Sequence, residues 1–291
     1  MLSLYGRDEV VRNVYRLARI EQPLGRFRAL SELRVGYLDF LDRRQRGVTT
    51  NREEGFLVDD ARLEDTLTSA FSEGALNDLN QADVLGSPYS AETRRTKSEF
   101  ARQALLGVLE LDDDFALVFS LVIHSIFVRP SKPAPGIRGS HGGSSSASIG
   151  AIWLTVGDGI EPLDIMEMYV HELAHHLLFI DELNHPQFNY DAITKRENFA
   201  RSAILRKTRP LDKVIHSIVV AAELLESRKR FLNNSGQTLV HPPSRELASD
   251  GLRAVSSVYA LPNISNLITP HLAEVVSRCH DVFLSNGGLI E

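Results

Sequence analysis

The chain has 291 residues with 32 Lys+Arg against 38 Asp+Glu, a formal net charge of −6, which excludes a generally basic nucleic-acid binder and makes anionic membranes poor partners. With 43% hydrophobic and 24% charged residues it has the composition of a globular protein with a sizeable core, not of a disordered chain. A single cysteine, Cys279, excludes an internal disulfide and a thiolate cluster, so any metal must be held by histidines and carboxylates.

The N-terminus meets Asp8 and Glu9 before an apolar leader could form, and no stretch reaches the roughly 20 apolar residues of a membrane span. The expectation is a cytoplasmic protein. Residues 7 to 46 carry two helical periods, Val10-Val11-Val14-Leu17-Ile20 and Phe27-Leu30-Leu33-Tyr37-Leu38-Leu41, split by Pro23 and Gly25, which predicts a helical hairpin. A further helix is predicted from about Ala61 to Leu79, and another from the Ser90 cap to about Leu111, where Asp112-Asp113-Asp114 marks the exit. No chemical motif stands out in the first 115 residues. From Ala116 to Val128 the density of β-branched and aromatic residues predicts a buried strand, with a short helix before it as an option. The Pro, Gly and Ser-rich run from Pro130 to Ser146 reads as a flexible loop, and Ile149 to Val156 as a second strand. Helices are then predicted over about 162–180, 191–206, 210–232, 244–260 and 268–284, with no internal repeat.

The chemistry concentrates in Tyr169-Val-His171-Glu172-Leu-Ala-His175-His176. On a helix, an i, i+4 spacing puts His171 and His175 about 40° apart on one face and roughly 6 Å apart along the axis, so both imidazoles can reach one ion. In hydrolases with this H-E-x-x-H pattern, the glutamate, here Glu172, serves as base. Apolar neighbours such as Val170, Leu173 and Leu177 make the helix a buried one, where unpaired His and Glu would be costly. His176 points about 100° away from His175 and reads as a supporting or surface residue.

Two histidines need a third ligand, and several residues qualify by type. Asp181 would fit an extended pattern, but that pattern needs a glycine turn where this chain has Leu178. His185 sits in a loop with nothing to fix it. On the helix begun by Pro210, His216 and Glu223 share one face, with Asp212 one turn earlier. Glu223 would complete a His-Glu-His zinc site and His216 a three-histidine site.

The run from Ser202 through Arg206, Arg209-Pro210-Leu211 and His216 to Ala222, about 35 residues after the H-E-x-x-H helix, resembles the second signature of the HExxH-type 2-oxoglutarate-dependent peptide β-hydroxylases. These are iron enzymes found with clusters that make ribosomally synthesised, modified peptides (RiPP modification). The strand Ile149-Gly-Ala-Ile-Trp-Leu and its Ser/Gly-rich approach are also similar, so the resemblance covers roughly residues 120 to 230. The family commonly has glycine after the downstream histidine, where this chain has Ser217. The resemblance implies that His171, His175 and His216 bind Fe(II), with positions left for 2-oxoglutarate and O₂. It further implies an arginine for the far carboxylate of the cosubstrate, Arg209 first and Arg206 in reserve. Glu172 would then support a ligand instead of serving as a base. The implied activity is that of a dioxygenase, an oxidoreductase that hydroxylates a side-chain carbon of a peptide or protein and yields succinate and CO₂.

Elsewhere, His124 reads as a core histidine, His141 as a loop histidine, the run Glu226 to Arg230 as a solvated helix end, and Cys279 as a small core residue. The fold expected is α+β and predominantly helical: a helical portion over 1–115 and a catalytic portion over 116–291, with a small sheet and a zincin-like metal helix, possibly as one continuous domain. Besides the oxygenase, two functions stay open, a zinc metallopeptidase with Glu223 as ligand and a peptide-binding module that pairs a peptide with the strand near 149–156.

Overall fold

A computed structural model describes residues 4–22, 26–45, 47–53, 55–71, 84–132, 140–233 and 238–287. Among these, helices dominate and two small sheets complete an α+β, mostly helical fold. No helix among the described residues is long and apolar enough to cross a membrane. The chain forms two compact units, Arg7–Asn184 and Met1–Gly6 with His185–Glu291.

In the Arg7–Asn184 unit, α1 (Arg7–Glu21) buries Val10, Val14, Leu17 and Ala18, one stripe at helical spacing. It packs against α2 (Leu30–Arg44), as the hairpin reading requires; the turn at Pro23 to Gly25 lies outside the described residues. Helix α3 (Ala61–Ala70) starts at Asp60, whose carboxylate accepts the Leu63 N–H at 2.8 Å. The rest of the helix expected there lies outside the described residues. Ser90 caps α4 (Ala91–Leu111) by accepting the Thr93 N–H.

The acidic run after Leu111 does more than end a helix. Asp112 accepts the Phe115 N–H at 2.8 Å and starts α5 (Asp113–Val122), with Asp113 and Asp114 in its first turn where the helix dipole favours anions. The strand expected over 116–128 is therefore mostly helix, and only its last four residues form β1 (Ser125–Val128). A short apolar run suits a buried strand or a buried helix equally, and the cap decides between them.

Strand β3 (Ala151–Leu154) pairs in parallel with β1, Ile126 opposite Ile152. The loop before it contains a strand that the sequence reading missed, β2 (Gly142–Ser144), antiparallel to β3 with Gly143 opposite Trp153. The order is β1-β3-β2. Phe127 and Trp153 anchor an apolar cluster with Leu67, Phe71, Val84 and Leu85. Helix α6 (Pro162–Asn184) packs against α1, α4, α5 and β2, which places the H-E-x-x-H segment beside the sheet edge.

In the second unit, the helix expected over 191–206 does not form. Its place is taken by a single turn α7 (Tyr190–Ile193), a 3-10 turn at Arg196–Asn198, and a hairpin of β4 (Ala200–Arg201) with β5 (Thr208–Arg209). The reason lies in who accepts the backbone N–H groups: Ser257 Oγ takes that of Arg201 and Ser217 Oγ that of Ala203, both at 2.9 Å, so extended backbone is satisfied without a helix. Helix α8 (Leu211–Ser227) runs on as a π turn at Arg228–Leu232 and is buried all round except at Lys213 and Glu226. It packs against α9 (Ser244–Tyr259) and α10 (Pro270–Asn286), which also pack on each other. The N-terminal residues belong to this unit: the Leu4 N–H donates to Glu223 Oε1 at 3.3 Å, and Arg278 donates to the Leu4 carbonyl.

Candidate metal centre

Helix α6 brings His171 and His175 together as their spacing requires, with Nε2 atoms 3.2 Å apart and ring centroids 5.1 Å apart. The His175 ring also stacks over Phe179 one turn on, at 19° between planes, which fixes its orientation. The donor set fits a transition metal: a cation about 2.1 Å from both nitrogens would see them at about 100°, between octahedral and tetrahedral angles. Neutral imidazole suits iron and zinc alike, so the pair does not choose the metal. Among the described residues, no group of three or more His, Cys, Asp or Glu is gathered as a metal would need.

Glu172 is buried, with Oε1 4.0 Å from His171 Nε2. Its other oxygen, Oε2, accepts a hydrogen bond from Ser144 Oγ on β2. Burial pushes this carboxyl up to about 8, while the Ser144 hydroxyl pulls it down. Gly142 is glycine because its neighbours leave no room for a side chain: a Cβ there would lie 3.1 Å from Glu172 Oε1 and 2.7 Å from Met168 Cε. Ser144 was invisible in the sequence as a partner of Glu172. The serine-rich run was the only signal, and it did not say which serine or which strand.

His176 is an interior residue, not a surface one. Its Nδ1 accepts the Gly150 N–H at 3.1 Å, and burial together with the neighbouring His124 holds it down to about 3. His124 is the core histidine expected: Nδ1 meets Ser125 Oγ and the Asn51 N–H, Nε2 donates to the Ile149 carbonyl, and burial holds it down to about 4. The two rings brace the turn that leads into β3. His141 precedes β2 and lends its carbonyl to Thr155. Asp181 is buried on the continuing helix, within 3.5 Å of Asn13 Nδ2, and lies off the ligand face as expected.

The remaining candidates sit in the second unit. His216 is buried on α8, and Ser217, standing where the resembled family has glycine, uses its hydroxyl to accept the Ala203 N–H and donate to the Val214 carbonyl. Arg209 lies on β5 directly before Pro210, which caps α8. Arg206, at the exposed end of the hairpin, is ion-paired with Glu246 and, at 2.7 Å, with Asp250. Glu223 is fully buried and accepts the Leu4 amide. Asp212 meets Lys213 at 3.3 Å, and His185 faces His271 with ring centroids 4.6 Å apart. No family model and no curated protein matches this chain.

Proposed function

We propose that the protein is an Fe(II)- and 2-oxoglutarate-dependent oxygenase that hydroxylates a side-chain carbon of a peptide or protein. The observation that carries this reading is the convergence of His171 and His175 Nε2 at 3.2 Å on a buried helix. His216 is the third ligand that the resemblance implies. It suits that role as a buried imidazole on α8, since an imidazole nitrogen is an ordinary ligand for Fe(II). Bound there, iron with 2-oxoglutarate and O₂ supplies the oxidation that no side chain can perform, converting 2-oxoglutarate to succinate and CO₂ while one oxygen atom enters a C–H bond.

The chain's own residues position and exclude. Arg209 presents a planar guanidinium to the far carboxylate of the cosubstrate, with Arg206 in reserve. Glu172, tied to Ser144, joins the histidine helix to β2 and keeps the edge of the sheet against α6. Glu223 gives one carboxylate oxygen, Oε1, to the Leu4 amide at 3.3 Å. The iron-loaded protein should convert 2-oxoglutarate to succinate slowly even without a peptide, and His216→Ala and Arg209→Ala should each lower that rate at least tenfold. Succinate formed equally by all three proteins contradicts the reading.

A second reading, a zinc metallopeptidase, is favoured by the 4.0 Å between Glu172 Oε1 and His171 Nε2, the place a general base for hydrolysis would occupy. It predicts that Glu172→Gln abolishes peptide cleavage by the zinc-loaded protein while zinc stays bound.

A further inference from the structure

We propose that the β4–β5 hairpin with the start of α9 is a docking surface for an acidic segment of the peptide substrate, an inference that rests on the peptide-oxygenase reading. The net charge of −6 conceals an uneven distribution. Residues 7–184 hold 19 Lys+Arg against 28 Asp+Glu, a net −9, while residues 185–291 hold 13 against 10, a net +3. Within the second set, residues 195–213 carry seven cations against Glu197 and Asp212, a net +5 over 19 residues.

The fold concentrates this charge. Arg206 Nε and Arg201 Nη2 reach Asp250 at 2.7 and 3.7 Å, and Arg253 reaches it at 3.4 Å, so three guanidinium groups share one buried carboxylate. Arg206 also pairs with a second anion, Glu246, which is half exposed. An incoming carboxylate can take the place of Glu246 on a guanidinium that Asp250 already orients. Arg206 also has φ of 57°, in the left-handed region that disfavours a side chain, so a glycine would suit the backbone better than the arginine found there. Around it, Lys207 and Arg245 are exposed, as are Lys195 and Arg196 just before the hairpin. Leu205 at the hairpin end is 41% exposed and offers an apolar contact beside the cations.

This mixture favours a peptide over a nucleic acid. A phosphate backbone is met by an uncompensated row of cations, whereas here two acidic side chains are interleaved with the arginines and an aliphatic residue stands at the tip. The hairpin leads through Arg209 and Pro210 into the helix that carries His216, so a substrate held there is held by the same segment that serves the proposed centre.

The test uses the full chain and two probes of equal charge, a fluorescent glutamate-rich peptide and a single-stranded oligonucleotide. The peptide should bind saturably and more weakly at higher salt. Lys207→Glu with Arg245→Glu should weaken it at least tenfold, and the corresponding glutamine pair should give an intermediate loss. Both positions are exposed, and a glutamate in the first turn of α9 suits the helix dipole, so the fold is kept. Absence of saturable peptide binding, binding unmoved by the reversals, or oligonucleotide binding as tight as that of the peptide overturns the proposal. The visible band of the iron–2-oxoglutarate complex, read on the same samples, should be equal in all variants. Its absence from every sample, with peptide binding as predicted, would sink the oxygenase reading and leave the docking surface standing.

Discussion

Gly143 within β2 and Gly150 just before β3 are each glycine for its own reason. A Cβ on Gly143 would lie 2.4 Å from the indole nitrogen of Trp153, a ring packed in the apolar cluster. One on Gly150 would lie 2.8 Å from the Val122 carbonyl and 2.5 Å from the His124 ring, on a backbone with φ of +90°. Gly150→Ala and Gly143→Ala should each cost about 2 kcal/mol or more, read as lowered urea midpoints with unchanged slope. Equal midpoints for wild type and Gly150→Ala would refute the packing described. His124 supplies a pH signature. Burial lowers its folded value to about 4 from 6.5, so the unfolded chain takes up a proton that the folded chain refuses. Its contribution is fully present above pH 6.5 and is lost as pH falls from there to 4. His124→Gln should flatten the fall in urea midpoint across that window; a slope equal to that of the wild type would contradict a neutral buried imidazole.

Among elements, the one most legible in the sequence was α6, because its apolar stripe and the histidine spacing share the helical period. Local composition over 116–122 suits a strand, and the Asp112 cap makes it α5 instead. Asp112→Ala should cost about 1 kcal/mol of stability, the usual worth of an N-cap, and an unaltered thermal midpoint would show that the cap does not hold α5 in place. The β4–β5 hairpin was illegible for a different reason: the acceptors that hold it, Ser217 and Ser257, lie on other helices. The same holds for Ser144 with Glu172, 28 residues apart, and for Leu4 with Glu223, 219 apart. Periodicity finds helices and paired ligands on one helix. It cannot find partners that only the tertiary fold brings together.

For the whole molecule, the proposed centre adds a third histidine, His216, and an arginine, Arg209, to the histidine pair on α6. Anaerobic titration of metal-free protein with Fe(II) and then 2-oxoglutarate tests that central claim most directly, because a chelated iron–oxoacid complex absorbs visible light and neither component does so alone. A saturable visible band should form, lost in His216→Ala and weakened in Arg209→Ala, with Glu172→Gln retaining it. A protein that shows no band with iron and 2-oxoglutarate, yet holds zinc in a manner destroyed by Glu223→Ala, would contradict it.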